Sequence, residues 1–392
     1  MTHVSKTARL WIGGIAAAGM VALAPVGALA AGGWSIVASP DATGRANSDL
    51  SDVSCPTPND CWAVGYSSTT PFTDSQTLIE NWSGSSWAAV PSPNATSNDA
   101  LFGVTCHSAN DCWAVGEATS GLGVQTTLTE HWDGGAWTIV ASPNVAASSN
   151  LLASVICTSP NDCWTVGYSD NGTTSQTLIE HWQGGKNAAW SIVASPNPVT
   201  GQDNVLQDVT CNSPKDCWAV GYSGPHFSNA AVTLIEHWDG AAWTAVSSPN
   251  PSPTDLLVSV DCTSPKDCWA AGSQLSGTYQ TLTEHWDGAA WTVVSSADTS
   301  VAQNNYLYDV ACASPHDCWA VGIYLNGTNY QTLTQHWDGT SWTIAPSPNT
   351  SSSQSNYLYG LTCQGPACWA VGNSTDTLGN DHTLTEQLAH SH

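Results

Sequence analysis

Positive charge is what this chain most lacks. Its 392 residues hold six Lys and Arg against 31 Asp and Glu, and past residue 30 the only cations are Arg45, Lys186, Lys215 and Lys266. Four scattered cations cannot neutralise a run of phosphates, which excludes nucleic acid and anionic membrane surfaces as partners. Past residue 30 there is also no apolar run long enough to span a bilayer and no segment of helical periodicity. The C-x-x-C spacing of zinc sites and redox dithiols is missing.

The N-terminus is different in kind. His3, Lys6 and Arg9 precede an apolar run over residues 10–24, and Ala28-Leu29-Ala30 offers a small-x-small cleavage site. This pattern predicts a secretory signal peptide over residues 1–30, with an uncleaved anchor as the alternative. The first cysteine is Cys55, too far along for a lipid-modified N-terminal cysteine. The expected mature protein is extracellular and consists of residues 31–392.

What fills that region is repetition. A tryptophan following a cysteine recurs at Trp62, Trp113, Trp164, Trp218, Trp269, Trp319 and Trp369. Each copy approximates L-x-x-V-x-C, SPND, CWAVGY, a variable stretch, TLxEHW, DGxx and WTxVxSPN. These are four short runs rich in Val, Trp, Thr and Ile, bounded by Pro, Gly, Asn and Asp, and they read as strands a, b, c and d. Four strands at this period predict an all-β, seven-bladed propeller of four-stranded blades forming one domain over 31–392. The last copy lacks strand d, whereas WSIVASP at 34–40 matches the d strands at 137–143 and 190–196. Residues 34–40 are therefore expected to complete blade 7 and close the ring, removing an open sheet edge.

All 14 cysteines fall at the end of strand a and the start of strand b. In an exported chain, two cysteines flanking a tight hairpin are placed to bond across it. One disulfide per blade follows: Cys55 to Cys61, Cys106 to Cys112, Cys157 to Cys163, Cys211 to Cys217, Cys262 to Cys268, Cys312 to Cys318 and Cys363 to Cys368. A repeated histidine stands before the strand-c tryptophan at His131, His181, His237, His285 and His336. Ring symmetry keeps these apart, so no shared metal is expected. Each should instead bond the aspartate before the second cysteine, namely Asp111, Asp162, Asp216, Asp267 and Asp317. Blade 1 keeps Asp60 but has Asn81, and blade 7 has lost both, with Ala367 and Gln387, together with the tryptophan, now Leu388.

These motifs resemble secreted bacterial seven-bladed propellers built from SPxDCWAVG and EHWDGxxW repeats, a likeness that covers residues 34–388 and implies the fold but no activity. DGGAW at 133–137 is loosely similar to the Asp box of sialidase-like propellers, with one residue fewer between Asp and Trp. Sialidases resemble one another in an arginine triad, and here Arg45 stands alone past residue 30, which excludes that chemistry. Kelch double glycines and the TGKxxW of quinone-cofactor propellers are absent too.

The a–b and c–d turns repeat almost unchanged, whereas the b–c and d–a connections differ at every blade, as in TPFTDS at 70–75, GLGV at 121–124 and PHFSN at 225–229. A site is expected on that variable face, unless its loops have simply drifted. The reading that follows is a non-catalytic binding propeller for carbohydrate or a cell-surface polymer. The alternative is a structural or protein-interaction ring, and a glycoside hydrolase or lyase comes third, with Glu117, Asp376, Asp381, His382 and His226 as its candidate acids and bases. Blades 6 and 7 alone carry paired tyrosines leading into strand a: Tyr306 and Tyr308, Tyr357 and Tyr359. Asn305 and Asn356 precede them, and Tyr330 lies in the b–c loop of blade 6. Aromatic rings beside amides suit sugar faces and hydroxyls, and packing between blades is the competing role. No cofactor, no membrane attachment after cleavage, and a monomer are expected.

Overall fold

The computed structural model describes residues 33–70, 74–225 and 230–388; the expected signal peptide and His226 lie outside them. Seven antiparallel four-stranded sheets form the ring. Blade 1 is typical, with strands a to d at Asn47–Thr57, Asp60–Ser68, Gln76–Trp82 and Trp87–Val90. Strand a lies innermost. Trp34–Val37 pairs with Asp381–Leu388, Trp34 opposite Leu388, so the N-terminal strand supplies strand d of blade 7 as the sequence predicts.

All seven disulfides form as expected, each joining cysteines whose Cα atoms lie 3.9–4.1 Å apart across the a–b hairpin. The glycine of CWAVG sits opposite a bulge in strand a. At Gly65 a Cβ would lie 1.9 Å from the Asp49 carbonyl oxygen, and the register slips between Leu50 and Asp52. The DG of the c–d turn has its own logic: Asp133 Oδ1 accepts from the Gly135 and Ala136 N–H groups while Gly134 adopts φ 89°. The aspartate of the sialidase-like motif is thus a turn former.

Tryptophan holds blade to blade. Trp113 of blade 2 packs on Trp182 and Trp190 of blade 3, with centroids 4.7 and 5.2 Å away, and the motif recurs around the ring to Trp369 against Trp82 and Trp87. At the last junction Leu388 replaces the strand-c tryptophan, and Trp319 meets Trp34 at 5.5 Å.

A second latch uses the SPN motif and the glutamate of TLxEHW. Ser195 of blade 3 lies 2.7 Å from Glu236 of blade 4 and Ser347 of blade 6 lies 2.8 Å from Glu386 of blade 7. Ser195 also lies 2.9 Å from Thr177 Oγ1, which in turn stands 3.2 Å from the Pro196 carbonyl oxygen. The Ser195 hydroxyl donates across the blade gap to Glu236. Burial pushes Glu236 up to about 8, against that bond, which on its own lowers the carboxyl's pKa. Blade 6 has the neutral isostere Gln335, which accepts from the Ala297 N–H at 3.2 Å. The SPN asparagine closes the turn, as when Asn197 Oδ1 accepts the Thr177 N–H at 3.0 Å.

Candidate functional site

The histidines resolve as framework. His131, His237, His285 and His336 lie 2.6–2.9 Å from Asp111, Asp216, Asp267 and Asp317, and His181 lies 2.5 Å from Asp162. Each imidazole packs on the strand-b tryptophan of its own blade, at 4.0 Å for His181 on Trp164. The strand-c tryptophan bonds elsewhere, with Trp132 Nε1 donating to the Ala109 carbonyl in the a–b turn. In blade 1 Asn81 Nδ2 donates to Asp60 instead, at 2.8 Å. Among the described residues no group of three or more His, Cys, Asp or Glu side chains is placed to hold a metal ion.

The two ends of the ring axis differ. On the face of the a–b hairpins, the second halves of the seven a strands line a funnel of about 500 Å³ containing Asp52, Asp208, Asp261 and Asp309. These carboxylates are already engaged between blades. Asp52 accepts from Val104 N–H at 2.9 Å, Asp208 from Val260 N–H at 2.9 Å and Asp309 from Leu361 N–H at 2.6 Å. Asp261 accepts from Cys312 N–H at 2.8 Å and is pushed up to about 6, chiefly by burial.

At the opposite end, on the face of the variable loops, side chains plug the axis. Blades 2 to 4 contribute Ala100, Phe102, Leu151, Ala153, Tyr168 and Val205, a mainly aliphatic half against which Tyr66 and Tyr222 also pack. Blades 5 to 7 contribute an aromatic half. The tyrosines singled out in the sequence do come together there, as one arc. Tyr279 stands 5.2 Å from Tyr306, Tyr306 is 6.3 Å from Tyr308, Tyr308 is 5.5 Å from Tyr359, Tyr359 is 5.9 Å from Tyr357, and Tyr357 is 5.7 Å from Tyr330. Tyr306, Tyr308 and Tyr359 are buried; Tyr330 and Tyr357 are part-exposed. The Tyr306 hydroxyl is buried without a hydrogen-bond partner, and burial pushes its pKa up.

Asn305 and Asn356 are placed differently from the tyrosines they precede. Both are fully buried and bond their own d–a loops: Asn305 accepts from Thr299 N–H and donates to the Ser300 and Gln303 carbonyls, and Asn356 repeats this with Thr350, Ser351 and Gln354. Ser48, Asp99, Asn150, Asn204 and Asp255 hold the same position, and all are buried. Ser/Asp/Asn in seven blades out of seven was the signal in the sequence for a loop cap. The arc also recruits Tyr279, invisible to that comparison because it starts strand c of blade 5 (Thr278–Trp286).

Next to Tyr357 the seam between blades 7 and 1 gathers carboxylates. Burial and then the Asp381 charge of blade 7 raise the pKa of Asp49 of blade 1, and burial is also the largest cause of the raised pKa of Asp381. Tyr66 donates to Asp49, and Thr375 Oγ1 donates to Asp381 at 3.0 Å. His382 lies 2.7 Å from Asp41 and 3.4 Å from Asp376, with its pKa raised first by the bond to Asp41. Glu117 belongs to another grouping: it is buried in blade 2, bonded to Gln125 at 2.5 Å and pushed up to about 8 by burial and then by Asp99.

No protein-family model and no curated protein sequence matches the chain. Solved structures do match its shape. It is similar to YCF48 bound to D1 peptide (TM-score 0.58, 14% identity, 94% of this chain and 100% of that one) and to Chaetomium thermophilum Sqt1 (0.51, 11%, 86% and 84%). It is also similar to a polysaccharide lyase of family PL25, an ulvan lyase bound to its saccharide (0.53, 9%, 84% and 89%). At such identities the likeness is one of fold: the chain is a seven-bladed β-propeller with a disulfide in every blade.

Proposed function

We propose that this protein is an exported, non-catalytic binding propeller that takes carbohydrate, free or as part of a cell-surface polymer, at the tyrosine arc on its variable face. The observation that carries this reading is asymmetry. A chain that repeats its framework seven times departs from the repeat by building six tyrosines into one side of the axial plug. The other side has half as many, with Tyr66, Tyr168 and Tyr222 packed among Phe102, Ala153 and Val205. Tyr330 and Tyr357 offer part-exposed rings for stacking on a sugar face, with Tyr306, Tyr308 and Tyr359 as the buried wall behind them.

The test is a glycan array probed with residues 31–392, followed by affinity measurements on Tyr330→Ala and Tyr357→Ala. Each variant is expected to lose about tenfold in affinity, from a stacking contact of roughly 1–1.5 kcal/mol, with little change in melting temperature. Tyr306→Ala, inside the wall, should lower the melting temperature instead. A silent array, or unchanged affinity in both variants, would leave the structural or protein-interaction reading. The third reading, a glycoside hydrolase or lyase, would draw on Asp49, Asp381, Asp376 and His382, and turnover of an arrayed glycan would support it.

A further inference from the structure

The seam that adjoins the arc holds more acceptor oxygens than Tyr66, Thr375 and Asn373 have donors to fill. The Asp381 N–H donates to Asn47 Oδ1 at 3.2 Å, which sets part-exposed Asp381 of blade 7 beside strand a of blade 1, where Asp49, two residues on, is buried. Asn373, 3% exposed, gives its amide N–H to Asp381 and leaves Oδ1 buried with no hydrogen-bond partner. Tyr357 pairs with Asn373 across strands a and b, so its ring stands over the same seam. A buried carbonyl oxygen without a donor costs free energy, and two carboxylates without a cation cost more.

Among the described residues, no cation of the chain fills the gap. Arg45 is committed to Asp74, donating to its carboxylate at 3.1 Å and its carbonyl at 2.9 Å. His382 is the titrating base nearest Asp381, and it is bracketed by Asp41 and Asp376. Lys186, Lys215 and Lys266 all sit at turns of the hairpin face, in the c–d turn of blade 3 and the a–b turns of blades 4 and 5. What the gap lacks is a compact donor of several N–H bonds that also favours an aromatic face. A primary ammonium has three donors and binds over tyrosine rings.

We infer that Asp49, Asp381 and Asn373 Oδ1, with the Tyr357 ring, form a subsite for a primary ammonium, so that the preferred ligand of the tyrosine arc is an amino sugar with a free amine. This rests on the carbohydrate reading and narrows it to one substrate class. The ammonium reaches the part-exposed Asp381 first and shares its remaining N–H bonds with Asp49 and Asn373.

Isothermal titration of the mature chain with three tetrasaccharides tests it: the β-1,4 glucosamine tetramer, its fully N-acetylated counterpart, and cellotetraose. The glucosamine tetramer should bind at least about tenfold more tightly than the other two, the worth of one charge-assisted hydrogen-bond set. Asp381→Asn and Asp49→Asn should erase that preference while retaining the weaker neutral binding. Both substitutions are isosteric and remove a like-charge contact, so the variants should melt no lower than the parent. If all three sugars bind alike, and Tyr357→Ala weakens all three, the ammonium subsite is wrong and the carbohydrate site stands. If no tetrasaccharide binds, both fall. A glucosamine preference that survives in both Asn variants also overturns the subsite.

Discussion

At the scale of single residues, the least visible feature in the sequence is a protonation state. Glu80, Glu130, Glu180, Glu236, Glu284 and Glu386 repeat as the acid of TLxEHW, and such a residue in a half-exposed strand reads as surface charge. In the structure every one is fully buried, and burial pushes them up to about 7 for Glu180 and Glu284 and about 8 for the rest. Asp41 adds to the shift at Glu80, Asp99 at Glu130 and Asp255 at Glu284. A carboxyl whose folded pKa lies above its unfolded one contributes stability that is complete below the unfolded value and is lost as pH rises through the folded value. The ring should therefore lose at least about 2 kcal/mol between pH 5 and pH 9. Denaturant midpoints measured across that range provide the check. Glu236→Gln, copying Gln335, should flatten the slope with little loss of stability at pH 7. A slope that rises with pH, or one unaltered in the variant, would mean that these acids are ionised in the fold.

At the scale of elements, most of the fold was legible because it depends on local pairs. The a–b hairpin needs two cysteines six or five positions apart, and strand boundaries follow the Pro, Gly and Asp of the turns. The His–Asp bond was legible for the same reason, since strands b and c of one blade bring its partners together in every blade that keeps them. What depends on two blades at once was hidden. The Ser–Glu latch, the Trp113–Trp182 contact and the Asp49–Asp381 pair each join positions whose proximity follows only once the ring is assembled. Asn305 and Asn356 show the converse error: the local asymmetry of the neighbouring tyrosines drew attention away from a cap that all seven blades share. Because the hairpins are held by their ladders and by inter-blade packing, no single disulfide should be decisive. Replacing Cys157 and Cys163 together by alanine is expected to cost about 2 kcal/mol for so short a loop. A guanidinium titration of the double variant would measure it, and failure to fold would show that the bridge directs assembly rather than trimming the unfolded chain.

For the whole molecule, closure is the property on which everything else rests, because a ring has no sheet edges only while its last blade is complete. The closing strand is short: four residues, Trp34–Val37, opposite Leu388 to Thr385. Yet its removal would do three things together. Strand c of blade 7 would become an open edge, a template for another chain. Trp319 would lose Trp34, its tryptophan partner at the one junction where Leu388 stands in for the strand-c indole. Glu80 would lose Ser39, and Thr383 would lose the Asp41 carboxylate that accepts its N–H. The same strand leads into Asp41 and Arg45, which frame the blade 7 to blade 1 seam beside the tyrosine arc. A chain beginning at residue 42 should therefore melt well below the chain of residues 31–392, associate in a concentration-dependent way, and bind glycans more weakly. Calorimetry and sedimentation of the two chains side by side would decide it. A truncated chain that stays monomeric and melts with the parent would mean that six complete blades and a three-stranded seventh hold the ring without its clasp.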